Sequence, residues 1–444
     1  MLGVTEPLDQ GARMGATAAH READIGGSRA RTWSPAPPSQ AASFRASTQH
    51  PLAGATILQI IPELDAGGAE RTTVDVAAAL AAIGARALVA TEGGRLVGEL
   101  QAKGGIWVPF PARTKNPFAM AVNVGRLVRL CRAEGVRIVH ARSRAPAWVA
   151  LGARRRLGLP LVTTYHGSYS GRTPVKQFYN SVMARGDAVI ANSHYTAELI
   201  RSAHPQARPE RIRVIHRGTD LAAFSAAQVG PGRVEALRRA WGVAPHERIV
   251  LLAARLTAWK GQRVLIEAAA ALRARGMRDF AVVLAGDAQG RAAYERELDA
   301  LVAAHNLGSV VRRVGHCADM PAALRAASVV AVPSTAPEAF GRAAVEAQAI
   351  GTPVVVSDLG AVRETVLAPP EVAAAERTGW RVPAGEVEPL AEAIAEMLQL
   401  GASARDALAR RARRHVEQNF SLERMTAATL EVYAALLAAP EAPV

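Results

Sequence analysis

The hydrophobic positions of the chain form short continuous runs that alternate with longer amphipathic segments. Runs such as "ATILQIIP" and "PLVTTYHG" in the first half, and "FAVVLAGD" and "VVAVPST" in the second, lack the strict polar alternation of a half-exposed strand. Ala- and Leu-rich segments with helical character lie between them. Continuous apolar strands that alternate with helices are typical of parallel sheets covered on both faces. The pattern therefore predicts the α/β class.

One interruption divides this alternation into two series. After Gly218 the pattern loosens through "TDLAAFSAAQVGPGR", and it restarts at "RIVLLAAR". We therefore predict two doubly wound, Rossmann-like domains. The predicted parts are a disordered extension rich in Ser, Pro, Ala and Arg (1–53), an N-terminal domain (54–220), a C-terminal domain (221–420), and a C-terminal helix and tail (421–444).

The charge of the chain is unevenly distributed. The 444 residues carry a formal net charge of +14. Residues 113–156, in the predicted N-terminal domain, hold eleven basic side chains and a single acid, Glu134. A basic field of this kind attracts phosphate groups on a membrane, a nucleic acid or a phosphorylated glycan.

Cysteine content and hydropathy indicate the compartment. The two cysteines, Cys131 and Cys317, are far apart and have no metal-ligand or redox spacing, which favours inert thiols in a reducing environment. We find neither an apolar run long enough to span a bilayer nor the apolar region of a secretory signal. The expected location is the cytoplasm.

Several predicted strands are followed by residues suited to ligand binding, and open parallel sheets bind ligands beyond the carboxyl ends of their strands. In the C-terminal half, Arg255 and Lys260 of "LAARLTAWKGQ" are cations that suit phosphate oxygens. Gly286 of "LAGDAQG" is a position where a ligand could approach the backbone. Loop cations are also common on solvated surfaces, so this pair alone leaves both interpretations open.

The stretch "PEAFGRAAVEAQAIG" places two glutamates around the start of a predicted helix. Glu338 follows a strand, Phe340, Gly341 and Arg342 begin the helix, and Glu346 lies among alanines. Free backbone N–H groups and the helix dipole favour an anion at such a start. A carboxylate buried among alanines needs donors, which sugar or ribose hydroxyls supply; alternatively, Glu346 faces solvent or pairs with an arginine.

The N-terminal half offers backbone and basic groups at its strand ends. Gly67 and Gly68 follow the first strand, where a phosphate could approach the backbone, although such pairs also occur in plain tight turns. His166 ends a strand beside a glycine and either donates to a sugar hydroxyl or is a structural histidine. A further strand end carries candidates for binding an anionic acceptor: His140, Arg142 and Arg144.

Taken together, these motifs resemble the retaining glycosyltransferases of family 4, which have the GT-B architecture. Glu338 and Glu346 match the E-x7-E motif of the family, and Arg255 and Lys260 match its Arg-x4-Lys pair. "LAGD", the Gly-Gly loop, the His-Gly pair and "VIHRGTD" also match. The resemblance covers the chain from Ala55 to Ala438 and implies two Rossmann-like domains facing a central cleft.

The resemblance implies a nucleotide-sugar donor held mainly by the C-terminal domain. Arg255 and Lys260 would neutralise its diphosphate, together with backbone N–H groups around Phe340–Arg342, and Gly67 and Gly68 would face the phosphates from the other side. Two side-chain cations and a helix end can replace a metal in stabilising a leaving diphosphate. No cofactor and no metal are therefore expected.

The resemblance also implies roles for the polar residues around the sugar. Glu346 would bind the ribose, Glu338 the transferred sugar, and His166 the sugar near the reacting carbon. The paired carboxylates would bind hydroxyls rather than act as acid and nucleophile as in glycosidases, and retention would follow from front-face attack. The sequence departs from the family at Arg217, where Asn is usual, and at Arg342, where many members have an apolar residue.

The expected acceptor is a glycan or a lipid-linked molecule of cell-envelope polysaccharide or lipopolysaccharide biosynthesis. The basic N-terminal domain would contact an anionic membrane peripherally, at the cytoplasmic face of the inner membrane. One alternative is a nucleotide-sugar epimerase or hydrolase of GT-B fold, which needs acid/base carboxylates in the cleft of the first domain. The other is a nucleic-acid-binding protein, but the basic helix with Arg126, Arg129 and Arg132 has little aromatic interleaving, so no nucleic acid is expected.

Overall fold

The structure is a computed structural model that describes residues 50–65, 67–167 and 173–439. Within these residues the chain forms two parallel β-sheets flanked by helices, which confirms the predicted α/β class. The predicted extension, residues 1–53, lies outside the described part except at its end. There, Leu52 is buried in the core of the first domain, so the folded chain begins before residue 54.

The first domain contains a sheet of seven strands. In chain order these are β1 (Thr56–Ile60), β2 (Arg86–Thr91), β3 (Ile106–Pro109), β4 (Val136–Ala141), β5 (Leu161–Tyr165), β6 (Ala188–Ala191) and β7 (Ile212–Val214). Their order across the sheet is β3-β2-β1-β4-β5-β6-β7, with every neighbouring pair parallel. The order reverses direction beside β1, which is where open α/β sheets bind ligands.

Three of the helices described for the first domain begin at a residue whose side chain caps them: Asn116, Thr173 and Ser193. Asn116 caps its helix by accepting hydrogen bonds from the N–H groups of Phe118 and Ala119, and Pro117 takes the first helical position, as predicted. The helices are α1 (Gly68–Ala82), α2 (Val97–Ala102), α3 (Pro117–Ala133), α4 (Arg144–Leu157), α5 (Pro174–Ser181) and α6 (His194–Ala203).

The second domain contains a sheet of six parallel strands in the order β10-β9-β8-β11-β12-β13. The strands are β8 (Arg248–Ala253), β9 (Phe280–Ala285), β10 (Val311–Gly315), β11 (Ala327–Val332), β12 (Val354–Ser357) and β13 (Trp380–Val382). Its helices are α7 (Pro231–Ala240), α8 (Gln262–Ala274), α9 (Ala292–Ala304), α10 (Met320–Ala326), α11 (Arg342–Ile350), α12 (Val362–Thr365), α13 (Val387–Gln399) and α14 (Ala402–Asn419).

Alternate residues of the central strand β8 enter two different cores. Val250 and Leu252 lie in one cluster, and Ile249 and Leu251 lie in another on the opposite face. Because both faces are buried, the strand is continuously apolar and has no polar side. This explains the uninterrupted hydrophobic runs of the sequence.

The last helix, α15 (Leu422–Ala438), returns to the first domain. Its Met425, Leu430 and Tyr433 are buried in the same core as Ile57 of β1. The two chain crossings between the domains lie side by side, because the N–H of Thr219 donates to the carbonyl of Phe420 at 2.8 Å. Helix α15 is therefore part of the first domain's core.

None of the helices in the described part of the chain is both long enough and apolar enough to cross a lipid bilayer.

Candidate functional site

Lys260 and Glu338 meet at the carboxyl ends of β8 and β11. Lys260 Nζ donates to Glu338 Oε1 at 2.6 Å, and Ser334 Oγ donates to the same oxygen at 2.6 Å. Glu338 is only 7% exposed. Gly261, with φ of +75°, makes this approach possible, since a side-chain carbon on it would lie 1.8 Å from the Pro333 carbonyl oxygen. The structure thus brings together two residues that the sequence places 78 positions apart.

Arg255 follows β8 and is exposed at the edge of the cleft. Its guanidinium makes one long contact, 3.4 Å from Gln289 Oε1, and forms no ion pair with any described residue. The positive charge of Arg255 acts on Glu70 of the first domain and lowers the pKa of its carboxyl. Burial has the larger and opposite effect on the same group. Arg255 is therefore a cation at the cleft that remains available to a ligand.

Gly286 has a structural explanation that differs from the prediction. The space that its side chain would occupy is filled by the carbonyl of Ala254, whose oxygen would lie 1.8 Å from the added carbon. The glycine therefore lets the ends of β9 and β8 approach each other. The packing of the two strand ends, rather than the predicted approach of a ligand, explains why residue 286 is a glycine.

Phe340 has a buried side chain, so only its backbone is left for the donor binding that was expected of this segment. It is 3% exposed, and its ring packs edge-on against Phe420 with a centroid distance of 5.5 Å. Gly341, with φ of +78°, follows in the left-handed region and caps α11 without a side chain. The buried ring and the turn together fix the start of α11, whose N–H groups are the part of this segment that can bind an anion.

Arg342 and Glu346 form an ion pair one turn apart on α11. Arg342 Nε lies 2.5 Å from Glu346 Oε1, and Glu346 is 8% exposed. Of the alternatives for Glu346, pairing with an arginine is the one observed, and exposure to solvent is excluded. Burial favours the neutral form of Arg342, but Glu346 outweighs this effect and raises the pKa of the guanidinium. Arg342 therefore stays charged beside Glu346 at the cleft.

The glycine pair at the start of α1 is bordered by charged side chains. A side-chain carbon on Gly67 would lie 2.0 Å from Glu70 Oε2, and one on Gly68 would lie 2.1 Å from Arg217 Nη1. Both atoms are ends of flexible side chains. Burial raises the pKa of the Glu70 carboxyl above its ordinary value. The sequence did not reveal Glu70, because an acid in the first turn of a helix is common.

His166 and Arg217 contact each other at the cleft side of the first sheet. Arg217 Nη2 donates to the His166 carbonyl oxygen at 3.0 Å and lies 3.3 Å from Nδ1 of the ring. Burial, with a smaller effect of Arg217, lowers the pKa of His166 well below its ordinary value. Burial also lowers the pKa of Arg217, to about 10, which leaves it charged near neutral pH. Arg217, where the family usually has Asn, thus lies within the site.

The three predicted acceptor candidates do not form one site. His140 is buried, and its ring nitrogens lie 2.5 Å from the Tyr433 hydroxyl and 2.6 Å from Thr164 Oγ1, so it is structural. Arg144 donates to Asn180 Oδ1 at 2.8 Å, at the start of α4. Arg142 and Arg217 border the same small cavity, whose wall also includes His140. The prediction is therefore wrong for His140, and Arg144 lies apart from the pair formed by Arg142 and Arg217.

One group of potential metal ligands occurs in the described residues, at the contact between the domains. It consists of His194, His216 and Glu364. Glu364 already accepts hydrogen bonds from the N–H groups of His194 and Tyr195, both at 2.8 Å, and lies 2.8 Å from His216 Nε2. The carboxylate therefore caps α6 from the opposite domain, a contact that no local sequence signal indicates.

The two parallel sheets and the charged groups at their carboxyl ends define a glycosyltransferase of the GT-B type. The sequence model described as Glycosyl transferases group 1 matches residues 233–415, and the model described as Glycosyltransferase Family 4 matches residues 66–223. The chain belongs to glycosyltransferase family 4, as the resemblance indicated.

Curated relatives support this assignment. The D-inositol 3-phosphate glycosyltransferase of Saccharomonospora viridis is 33% identical over 320 residues, which cover 68% of this chain and 70% of the relative. The enzyme of the same name from Salinispora arenicola is 33% identical over 328 residues, covering 68% and 69% of the two chains.

Solved structures show the same fold. A glycosyltransferase from Rickettsia africae superposes with a TM-score of 0.78 at 31% identity, covering 87% of this chain and all of that one. Anabaena HepE, in a complex with UDP-glucose, superposes with a TM-score of 0.74 at 26% identity, covering 86% of this chain and 99% of that one.

Proposed function

We propose that the protein transfers a sugar from a nucleotide-diphosphate donor to a glycan or lipid-linked acceptor in cell-envelope polysaccharide or lipopolysaccharide biosynthesis, with retention at the reacting carbon. The observation that carries the donor part is the group of charges at the carboxyl end of the second sheet: Arg255, Lys260 and the start of α11 beside Glu338 and Glu346. The complex of HepE with UDP-glucose supports a donor of this class. The envelope role rests on the family resemblance.

The cations of this group suit a leaving diphosphate. Arg255 is free of ion pairs among the described residues, and its fork of donors can bind two phosphate oxygens. The ammonium of Lys260 has three N–H groups, so it can donate to phosphate while it still donates to Glu338. The N–H groups at the start of α11 add the positive end of a helix. As negative charge grows on the diphosphate, these fixed groups stabilise it without a metal ion.

The two glutamates suit hydroxyl groups. Glu338 Oε1 already accepts from Lys260 and Ser334, which leaves Oε2 for a hydroxyl of the transferred sugar. Glu346 is paired through Oε1 with Arg342 and retains Oε2 for the ribose. Each carboxylate is held in place by a cation, Glu338 by Lys260 and Glu346 by Arg342. They fix the donor, and retention follows from attack of the acceptor on the face that the diphosphate leaves.

His166 suits the position nearest the reacting carbon. Its ring is neutral near pH 7 because burial lowers its pKa. Nδ1 faces Arg217, and Nε2 has no hydrogen-bond partner among the described residues. A neutral ring can donate to or accept from a sugar hydroxyl without adding charge.

A peripheral contact with the cytoplasmic face of the membrane is part of the proposal. The basic region at residues 113–156 contains the whole of α3, whose Phe118 is 84% exposed and whose Val122 is also exposed. Helix α5 exposes Val175 and Phe178. Exposed apolar side chains among basic ones suit anionic lipid. The protein should co-sediment with phosphatidylglycerol vesicles and not with phosphatidylcholine vesicles, and its binding to the former should weaken as the salt concentration rises. Equal binding to both kinds of vesicle contradicts the electrostatic contact.

A small phosphorylated acceptor is a second candidate. The two curated relatives at 33% identity are named for D-inositol 3-phosphate. The first domain of this chain also carries the arginines Arg142 and Arg217 on its cleft side. Both observations favour an acceptor with negative charge.

A thermal-shift panel of UDP-, GDP- and ADP-sugars, with and without EDTA, tests the proposed function. We expect at least one nucleotide sugar to raise the melting temperature, and we expect EDTA to leave this shift unchanged. The absence of any shift would contradict the donor site. A shift that disappears with EDTA would contradict the metal-free mechanism.

A further inference from the structure

A small cavity lies in the first domain, apart from the charges at the second sheet. Its volume is about 20 Å³. Polar side chains at the carboxyl ends of β4, β5 and β6, together with one after β7, supply much of its wall: His140, Arg142, Thr164, His166, Asn192 and Arg217. A cavity of this size has room for a water-sized group, so it fits the end of a charged substituent and not a whole sugar.

Two arginines give this cavity a positive charge, on which Glu70, Glu338 and Asp75 act only from beyond ion-pair distance. Arg142 is 3% exposed, and its Nε donates to the neutral side chain of Gln59 at 2.7 Å. Arg217 is partly exposed toward the cleft and donates to the carbonyl of His166. Neither guanidinium forms an ion pair with a carboxylate among the described residues. An unpaired charge away from water is costly, so the cavity is electrostatically incomplete without an anion.

The unused hydrogen-bond donors of the cavity indicate the same ligand. Arg142 Nη2, Arg217 Nε and Asn192 Nδ2 are buried and have no partner within the described chain. Burial lowers the pKa values of His140 and His166 well below their ordinary range, so the two rings are neutral and the arginines set the charge. Buried donors are almost always paired, and a negatively charged oxygen is the strongest partner for guanidinium groups.

We propose that the cavity receives an oxygen of an anionic group of the acceptor, a phosphate or a carboxylate, and that Arg142, Arg217 and Asn192 donate hydrogen bonds to this group. This inference rests on the proposed function. We assign the group to the acceptor because the proposed donor residues of the second domain, Arg255, Lys260 and Glu338, do not line the cavity. Arg217 also contacts His166, which faces the reacting carbon in the proposed mechanism. The cavity thus selects anionic acceptors over neutral ones.

Calorimetric titration of inorganic phosphate into the full-length protein saturated with UDP tests this assignment, because UDP keeps the donor's phosphate positions filled. We expect wild type to bind phosphate. We expect Arg142→Gln and Arg217→Asn to bind it roughly ten-fold more weakly or worse, since each loses a charge-assisted hydrogen bond. Arg137→Gln, on an exposed position of β4, is the matched control and should bind as wild type does.

Arg217 is partly exposed, so Arg217→Asn decides the question even if Arg142→Gln fails to fold. Equal phosphate affinity in wild type and Arg217→Asn, or no phosphate binding to the UDP-saturated wild type, overturns the proposal. Phosphate binding that persists with UDP but disappears with UDP-glucose assigns the cavity to the transferred sugar and also overturns it. If UDP fails to bind, the titration is repeated with GDP or ADP; if none of the three binds, the proposed function is contradicted, and the phosphate titrations of the variants without nucleotide still decide the role of the cavity.

Discussion

Lys260 Nζ donates to Glu338 Oε1 at 2.6 Å, so two residues with separate proposed roles at the donor are bonded to each other. Ser334 donates to the same oxygen. Because Glu338 is buried, the lysine neutralises a carboxylate that has little contact with water. The pair therefore contributes to stability as well as to the proposed binding of the donor.

Lys260→Met should destabilise the second domain by about 2 kcal/mol, because it leaves the Glu338 carboxylate buried and unpaired. The double variant Lys260→Met/Glu338→Gln should recover about 1 kcal/mol or more of this loss, since it also removes the charge. Urea denaturation of wild type, both single variants and the double variant measures the coupling. A double variant as unstable as the sum of the single ones would show that the two groups do not interact.

The two glutamates should differ in their kinetic effects. Glu346→Ala should weaken donor binding by roughly ten-fold, because it removes the proposed ribose acceptor and frees Arg342. Glu338→Ala should mainly lower turnover, by roughly 100-fold, since it disturbs the transferred sugar and Lys260. Steady-state kinetics with the donor identified by the thermal-shift panel gives both values.

The matched control for Glu346→Ala is Glu417→Ala, which breaks a similar i,i+4 pair with Arg413 on α14. Its donor affinity should equal that of wild type. Wild-type kinetics in both cleft variants would refute the assigned roles.

Acid should weaken the contact of Glu364 with α6. Burial favours the neutral carboxyl, but His216 and the backbone N–H groups outweigh this effect and lower the pKa of Glu364 below its ordinary 4.5. Its stabilising contribution is therefore complete above pH 4.5 and is lost as pH falls through the lowered pKa. Glu364→Gln should cost about 2 kcal/mol at pH 7, and its difference from wild type should shrink in more acidic solution.

Melting temperatures of wild type and Glu364→Gln between pH 7 and the acid limit of solubility measure this difference. Glu198→Gln, on the exposed side of α6, is the control and should show a small effect that does not depend on the domain contact. If the difference in melting temperature between wild type and Glu364→Gln grows as the pH falls, the lowered pKa assigned to Glu364 is contradicted.

Tyr433 should couple α15 to the first sheet. Its hydroxyl lies 2.5 Å from His140 Nδ1, and burial raises the pKa of Tyr433 to about 12, so it stays protonated. Tyr433→Phe should cost about 1–3 kcal/mol, because His140 loses a buried partner, and Tyr433→Ala should cost about 3–5 kcal/mol, because a cavity is added. Chemical denaturation measures both. Equal stabilities of the Phe and Ala variants would contradict the packing of this ring.

The sequence predicted the alternating elements well because buried parallel strands carry their signal locally. The apolar runs around Ile57 and Val250 are continuous since both faces of their sheets are covered. The return of α15 to the first domain could not be predicted, because Tyr433 meets His140 across 293 positions of sequence. An amphipathic helix reveals that it has a partner but not which partner it packs against.

The motifs located the candidate site, but individual side-chain roles depended on distant contacts. Phe340 is buried because His216 and Phe420 surround it, and neither is near it in sequence. Gly286 is a glycine because the carbonyl of Ala254 occupies the adjoining space. The pairing of Arg342 with Glu346 was one of the alternatives, since i,i+4 charges on a helix are within reach of each other.

Calorimetric titration of UDP in the presence of EDTA tests the central claim most directly, with wild type and Arg255→Gln/Lys260→Met compared. The proposed donor site predicts one UDP per wild-type chain and an affinity at least roughly 100-fold lower in the double variant, because two cations facing the diphosphate are lost. Equal affinity in the two proteins, or the absence of binding by UDP, GDP and ADP alike, would contradict it.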